Sequence, residues 1–329
     1  MYSKLLLLSF VICIFVSCTH EKEYRYEEGI AWNTAYHITY ESDNDLSDSI
    51  LYILKEIDYS ISPFNPESVI SKINDNRSNI TDRHFEIVYD VSRKINHQTG
   101  GVFDPTLAPL IRAWGFGQGH KVSAIDTLRI DSLLKLVGIN KTNLKNGRLI
   151  KSNPEIEFNF SALAKGYGVD CIADMLERNG SNNYLVEVGG EIRASGVNPK
   201  RKKWGIGIDR PEENASLGET VYTLYIGSGA IATSGNYRNL QQGKDTHFGH
   251  TISPFTGKPI QTDVISATII SDNCMEADAL ATSCMVIGSR KALDLCNQYN
   301  VGLMLIKSDM TVITNEIFKS FTHTDTENL

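Results

Sequence analysis

Between Glu155 and Gly190 the chain gathers its densest set of groups able to hold an anion. Ile156, Phe158 and Phe160 alternate with polar neighbours, which predicts a half-buried strand, and Ser161-Ala162-Leu163-Ala164-Lys165-Gly166-Tyr167-Gly168 then makes a tight turn of small residues. Small residues let a ligand approach the backbone closely. The helix expected from Gly168 to about Arg178 would aim unpaired N–H groups and the positive end of its dipole at that turn. Lys165 adds a mobile positive charge, and the whole suits a phosphate.

In Glu276-Ala277-Asp278-Ala279-Leu280-Ala281-Thr282, Asp278 and Thr282 stand four residues apart on one helical face. A carboxylate beside a hydroxyl suits a hard cation such as magnesium, held by few protein ligands and completed by substrate phosphates. On residue type alone, the plainer account prevails: an acid complementing a helix N-terminus and a threonine among alanines. Gly101-Val102-Phe103-Asp104-Pro105-Thr106 and Trp114-Gly115-Phe116-Gly117 bound one aromatic loop, suited either to stacking a flat heterocycle or to capping the core. His250 precedes a Pro-Gly turn and could take a proton or position a phosphate, but the chain has eight histidines and His247 is three residues away. Ala232-Thr233-Ser234-Gly235 reads as a turn after a small-residue strand, with no ligand role assignable from type.

Other chemistries are poorly served. Gly166-x-Gly168-x-x-Cys171 lacks the third glycine of a dinucleotide fingerprint, no Walker or zinc spacing occurs, and Ser161 is not in a nucleophile elbow. A net charge of −7, with no basic run longer than Lys200-Arg201-Lys202-Lys203, excludes wholesale nucleic-acid binding.

The elements that must position these groups follow from periodicity. Ala31 to Tyr40 reads as a strand, Leu46 to Ile61 as a helix, and Asp82 to Gln98 as a helix capped by Thr81 or Asp82. Asp126 to Val137 is helical. Strands are expected near Arg148, Glu155 and Tyr184, at Trp204 to Ile208, Tyr222 to Ile226 and Val264 to Ile270. Two helices, Met275 to Ile287 and Lys291 to Tyr299, precede closing strands at Val301 to Ile306 and Thr311 to Thr314. Mixed without a regular βαβ period, these predict an α+β fold, and 329 residues with 41% hydrophobic content support one catalytic domain over residues 29–329.

Residues 1–17 read as a leader: Lys4 precedes the apolar Leu5 to Val16, too short to span a bilayer comfortably. Phe15-Val16-Ser17-Cys18 resembles a lipobox, with Cys18 acylated as the mature N-terminus and 18–28 a charged tether. That predicts a bacterial lipoprotein, anchored by lipid and facing the periplasm. Cys171, Cys274, Cys284 and Cys296 form no CxxC pair and read as buried free thiols.

Taken in order, the Ser62 to Asn74 segment, Phe103-Asp104-Pro105-Thr106 through Gly117, Ala164-Lys165-Gly166-Tyr167, Val188-Gly189-Gly190, Ala232-Thr233-Ser234-Gly235, the His250 turn and Asp278-Ala279-Leu280-Ala281-Thr282 resemble the ApbE family of FAD:protein FMN transferases. The resemblance runs from about residue 30 to about 310. It implies a single mixed α+β domain of T-fold-like type that binds FAD and Mg2+, attaches FMN to a threonine or serine of a client, and releases AMP. Clients in the family are exported flavoproteins, such as subunits of membrane electron-transfer complexes.

Carried over by position, the resemblance implies metal binding by Asp278, Thr282 and the carbonyl of Ala162. It implies FAD contacts at Phe64, Val102, Phe103, Asp104, Asn159, Lys165 and Ile252, and His250 as general base. Asn159 replaces the commoner aspartate. Trp32, the first flavin contact, and Asn33 stand where the family usually has Met-Gly or Gln-Gly. Two rivals remain at this point: a Mg-dependent FAD pyrophosphatase giving FMN and AMP, and a flavin-binding lipoprotein without catalysis.

Overall fold

The computed structural model describes residues 22–116, 126–211, 220–236, 241–242, 247–248 and 251–321. The leader, Cys18 and His250 lie outside the described residues.

An edge hairpin opens the fold, β1 (Glu23–Ala31) and β2 (Thr34–Ser42). Helices α1 (Ser47–Ile61), α2 (Val69–Asn74), α3 (Arg83–Gln98), α4 (Ala108–Ala113) and α5 (Thr127–Leu134) follow, then a ribbon of β3 (Thr142–Lys145) and β4 (Arg148–Lys151). α6 (Ala164–Arg178) leads into β5 (Tyr184–Val188) and β6 (Glu191–Ser195), and β7 (Trp204–Asp209) and β8 (Thr220–Ile226) pair as a second ribbon. After β9 (Ser228–Gly235), the two-residue β10 (Gln241–Gln242) and β11 (His247–Phe248), and β12 (Val264–Ser271) come α7 (Cys274–Ile287) and α8 (Ser289–Gln298). β13 (Gly302–Lys307), β14 (Val312–Thr314) and α9 (Glu316–Ser320) close the described chain.

Eight strands form one sheet in the order β1-β2-β5-β6-β9-β12-β13-β14, each neighbouring pair antiparallel. Its central strands are covered on both faces, which explains why Val264 to Ile270 is nearly all apolar rather than alternating. Val264, Ala267 and Ile269 pack with Ala277, Leu280 and Cys284 of α7, while Ile270 of β12 and Met304 and Ile306 of β13 pack with Trp204, Ile206, Leu224 and Phe318. Helices and antiparallel strands are thus layered separately, and the fold is α+β.

Three expectations change. Glu23 to Glu28 is the start of an edge strand rather than tether: it pairs along β2, Tyr24 donates its hydroxyl to Val197 O at 2.6 Å, and Arg25 Nε reaches Ser42 O at 3.2 Å. The strand expected over Ala31 to Tyr40 is interrupted at Trp32-Asn33, whose φ angles of 52° and 61° turn the chain back on itself. The segment from Ile156 to Phe160 joins no strand ladder. A side chain replaces the missing strand: Asn74 Nδ2 donates to Phe158 O at 2.8 Å and its Oδ1 accepts from Phe158 N at 2.8 Å.

α6 and α7 cross at close range because residue 166 has no side chain: a Cβ there would stand 2.4 Å from the carbonyl oxygen of Cys274. Asp170 locks the crossing. Its carboxylate accepts from the first amides of α7, Cys274 N and Met275 N, both at 2.9 Å, and pairs with Arg193 at 3.2 Å. Helix amides left unpaired by geometry are thereby satisfied by a charged cap. Cys274, Cys284 and Cys296 are buried, Cys171 partly so, and all four are free thiols.

Candidate active site

α6 begins at Ala164, one turn earlier than periodicity predicts, so Lys165 and Gly166 belong to its first turn. The expected cradle of free amides is therefore partly filled: Ala164 N donates to Phe160 O at 2.9 Å and Gly166 N to Asp278 Oδ2 at 3.2 Å. A buried acid of the protein, rather than a ligand, takes the second amide. Ala162 and the Lys165 side chain remain open to the cleft that lies beside this turn.

That cleft has a volume of about 1120 Å³. Trp32, Phe64, Val102, Phe103, Asp104, Asn159, Ala162, Lys165, Ile252, Asp278 and Thr282 all line it, so residues spread over most of the chain share one cavity. Ile252, two residues after His250 in the sequence, is buried in its wall. Phe64 stands half exposed, while Phe103 is buried beneath. The Asp104 carboxylate is already committed to the protein's own donors. Oδ1 accepts from Thr106 N at 2.9 Å and its hydroxyl at 2.5 Å, and Oδ2 accepts from Ile139 N and Asn96 Nδ2, each at 3.1 Å. Asn159 likewise spends Oδ1 on Ser161 N at 2.8 Å, shaping the turn.

Trp32 occupies the left-handed region, which bulky residues rarely adopt. Its indole lies directly on Gly168, where a Cβ would come within 2.1 Å of the ring, and Nε1 donates to Leu54 O at 3.2 Å. Gly168 thus serves helix-to-ring packing.

The polar floor joins three elements. Lys165 Nζ stands 3.1 Å from Glu191 Oε1 and 3.9 Å from Asp278 Oδ2, and the two acids are only 2% and 3% exposed. Burial pushes the Glu191 carboxyl upward and Asp278 adds to the rise, while the Lys165 ammonium 3.1 Å away favours its charged form. Burial raises Asp278 in the same direction, against the pull of Lys165 and the Gly166 amide. For Lys165, burial alone would lower the ammonium, but Asp278 and Glu191 outweigh it and hold the group above its ordinary range. Thr282 Oγ1 lies 3.1 Å from Ser234 Oγ, bringing β9 into the floor.

Glu191 is the functional group that sequence reasoning missed. It follows Gly189-Gly190, whose φ angles of 62° and 97° reverse the chain between β5 and β6; a Cβ at Gly189 would meet Thr34 at 2.7 Å. The available signal was an acid placed directly after a Gly-Gly turn, at the head of a short strand. Glu191 Oε2 is buried without a hydrogen-bond partner, an acid left short of one positive group. In the same cleft, Asp278, the Thr282 hydroxyl and the Ala162 carbonyl offer an all-oxygen set that fits a hard divalent cation. Among the described residues no group of three or more His, Cys, Asp and Glu is poised to hold a metal by itself.

The family model described as the ApbE family matches residues 32–305. The chain belongs to the ApbE family. A FAD:protein FMN transferase of Vibrio cholerae is 33% identical over 312 residues, 91% of this chain and 92% of that one. Its counterpart in Haemophilus influenzae is 32% identical over 94% of each chain. The solved flavin transferase ApbE from Vibrio cholerae superposes with a TM-score of 0.81 at 31% identity, covering 91% of this chain and 99% of that one. The apo flavinyl transferase ApbE of Pseudomonas stutzeri reaches 0.83 at 24% identity over 93% and 99%, which bears on the fold alone.

Proposed function

We propose that the protein transfers FMN from FAD to a threonine or serine hydroxyl of a flavoprotein client, releasing AMP, with Mg2+ required. The observation that carries this reading is the convergence of Lys165, Asp278 and Thr282 with an aromatic and apolar wall in one cleft. At about 1120 Å³ the cleft exceeds the roughly 300–1,000 Å³ of ordinary small-molecule sites and suits a bulky two-part ligand.

Phe64, Val102, Phe103 and Trp32 offer the flavin a largely apolar wall, while Lys165 faces the pyrophosphate as its fixed positive charge. Asp278, Thr282 and the Ala162 carbonyl would hold the magnesium ion, which when bound supplies charge neutralisation at the pyrophosphate. The client hydroxyl oxygen bonds to the FMN phosphorus, the bond from that phosphorus to the AMP phosphate oxygen breaks, and His250 takes the hydroxyl proton. Phosphoryl transfer asks little of proton removal, so positioning by the cleft dominates.

The N-terminal reading places the enzyme on a bacterial membrane facing the periplasm, held by acylated Cys18, where clients such as subunits of electron-transfer complexes would be met. Because β1 starts at Glu23, the anchor would reach at most about 17 Å from the sheet edge, at about 3.5 Å per residue.

Mass spectrometry of a candidate flavoprotein domain, incubated with the full chain, FAD and Mg2+, tests the reading. A client gain of about 438 Da, one FMN joined with loss of water, that vanishes with EDTA is expected. Free FMN and AMP at saturating client would instead identify a pyrophosphatase, and unchanged FAD would leave only a binding protein.

A further inference from the structure

Lys165 lies between two buried acids, and nearer one of them. Its Nζ is 3.1 Å from Glu191 Oε1 but 3.9 Å from Asp278 Oδ2, the same oxygen that accepts from Gly166 N at 3.2 Å. Asp278 is therefore held by main chain and ammonium together, whereas Glu191 keeps Oε2 with no partner. The two acids sit on different elements, Glu191 at the start of β6 and Asp278 in the second turn of α7.

We infer that Glu191 is a positioning residue that keeps the Lys165 ammonium off Asp278, so that Asp278 is free for a divalent cation. The inference rests on reading the cleft as a cation-dependent flavin transferase site. An ammonium and a divalent cation compete for one carboxylate, and at about 4 Å in a poorly hydrated site their mutual repulsion is several times that in bulk water. Lys165 must then have another counter-charge close by. Its side chain is only 31% exposed, so solvent cannot readily supply one. Glu191 is nearer than Asp278, and Oε2 offers a second acceptor to an ammonium that carries three N–H groups. Without the Glu191 charge, Lys165 has Asp278 as its remaining buried anion and blocks it.

The argument predicts a sign that simple loss of shape would not produce. Mn2+ binding to the full chain, followed by electron paramagnetic resonance without FAD, is compared for wild type, Glu191→Gln, Glu191→Asp and Glu191→Gln with Lys165→Met. Glu191→Gln is expected to weaken Mn2+ by about tenfold or more, the scale of lost outer-shell support, and Glu191→Asp by less. Removing Lys165 in the Glu191→Gln background is expected to restore binding to within about threefold of wild type. Thermal unfolding of each variant separates these effects from collapse of the fold. Wild-type affinity in a folded Glu191→Gln, or a double variant as weak as the single, would overturn the inference alone. A wild-type chain that binds no Mn2+ either with or without FAD would remove the cation reading and this inference with it.

Discussion

The amide nitrogen of Gly166 lies 3.2 Å from Oδ2 of Asp278, so the first turn of α6 is bonded to the second turn of α7 inside the active-site floor. The approach is possible because residue 166 carries no Cβ; one built there would stand 2.4 Å from Cys274 O. Gly166→Ala must push the helices apart, and overpacking of this kind costs about 1–3 kcal/mol. Urea unfolding should show that loss, and flavin transfer should fall further than stability explains, since Asp278 moves with α7. Unchanged stability would mean that the crossing has slack.

Asp170 holds the same crossing from its other side. It accepts from Cys274 N and Met275 N at 2.9 Å each, and Arg193 reaches it at 3.2 Å while also pairing with Asp174 at 2.8 Å and Glu177 at 3.2 Å. Asp170→Ala leaves Arg193 with two acids but strips the first two α7 amides of their acceptor, while Asn273 still caps Glu276 N, at an expected cost of about 3 kcal/mol. A denaturation midpoint within error of wild type would refute the assignment.

The long helices were legible because their signals are local. Asp82 caps α3 by accepting from Phe85 N at 2.8 Å, as its place before an amphipathic run predicts, and α1, α7 and α8 end within two or three residues of their periodicity. What escaped depends on distant partners. Trp32-Asn33 has none of the glycine that marks a tight hairpin, yet turns because β2 is fixed against β5. Phe158 joins no strand because an asparagine 84 residues earlier takes both its backbone groups. The motifs were readable one by one. That Ala162, Gly190, Ser234 and Asp278 share a cleft depends on the strand order that sets β5-β6-β9-β12 side by side, which no local pattern encodes.

Asp278 and Thr282 should differ in weight. A buried carboxylate supplies charge to a cation, whereas the Thr282 hydroxyl, 3.1 Å from Ser234 Oγ, supplies a neutral oxygen. Asp278→Ala should reduce AMP release and client flavinylation by about 100-fold or more, Thr282→Ala by less, and Thr282→Ser should retain most turnover. Wild-type FAD affinity and turnover in Asp278→Ala would end the metal assignment.

Acid should weaken the α7–α8 corner through Asp263. Its carboxylate accepts from Ser289 Oγ at 2.6 Å and Ser289 N at 3.0 Å, with Lys307 at 3.7 Å, and these contacts, the hydroxyl foremost, hold it below its unfolded value near 3.8. A depressed carboxylate stabilises the fold above the unfolded pKa and loses that contribution as pH falls through the folded one. The side chain is 42% exposed, so solvent limits the effect to about 1 kcal/mol or less. Asp263→Asn should therefore trail wild type in urea at pH 7 by a gap that narrows as pH falls below about 3.8; a gap that stays constant through that range would show that charge is not the source.

His250 lies outside the described residues; Ile252, two residues on in the sequence, lines the cleft wall, and Ser253 N donates to Lys258 O at 2.9 Å in the turn that follows. If the imidazole removes only the acceptor proton, it contributes nothing to holding FAD. His250→Ala should then leave FAD affinity within about threefold of wild type by flavin fluorescence while slowing client modification, and by less than Asp278→Ala, because a loose phosphoryl transition state gains little from a base. A variant that loses FAD binding in step with transfer would reassign His250 from proton acceptor to ligand contact.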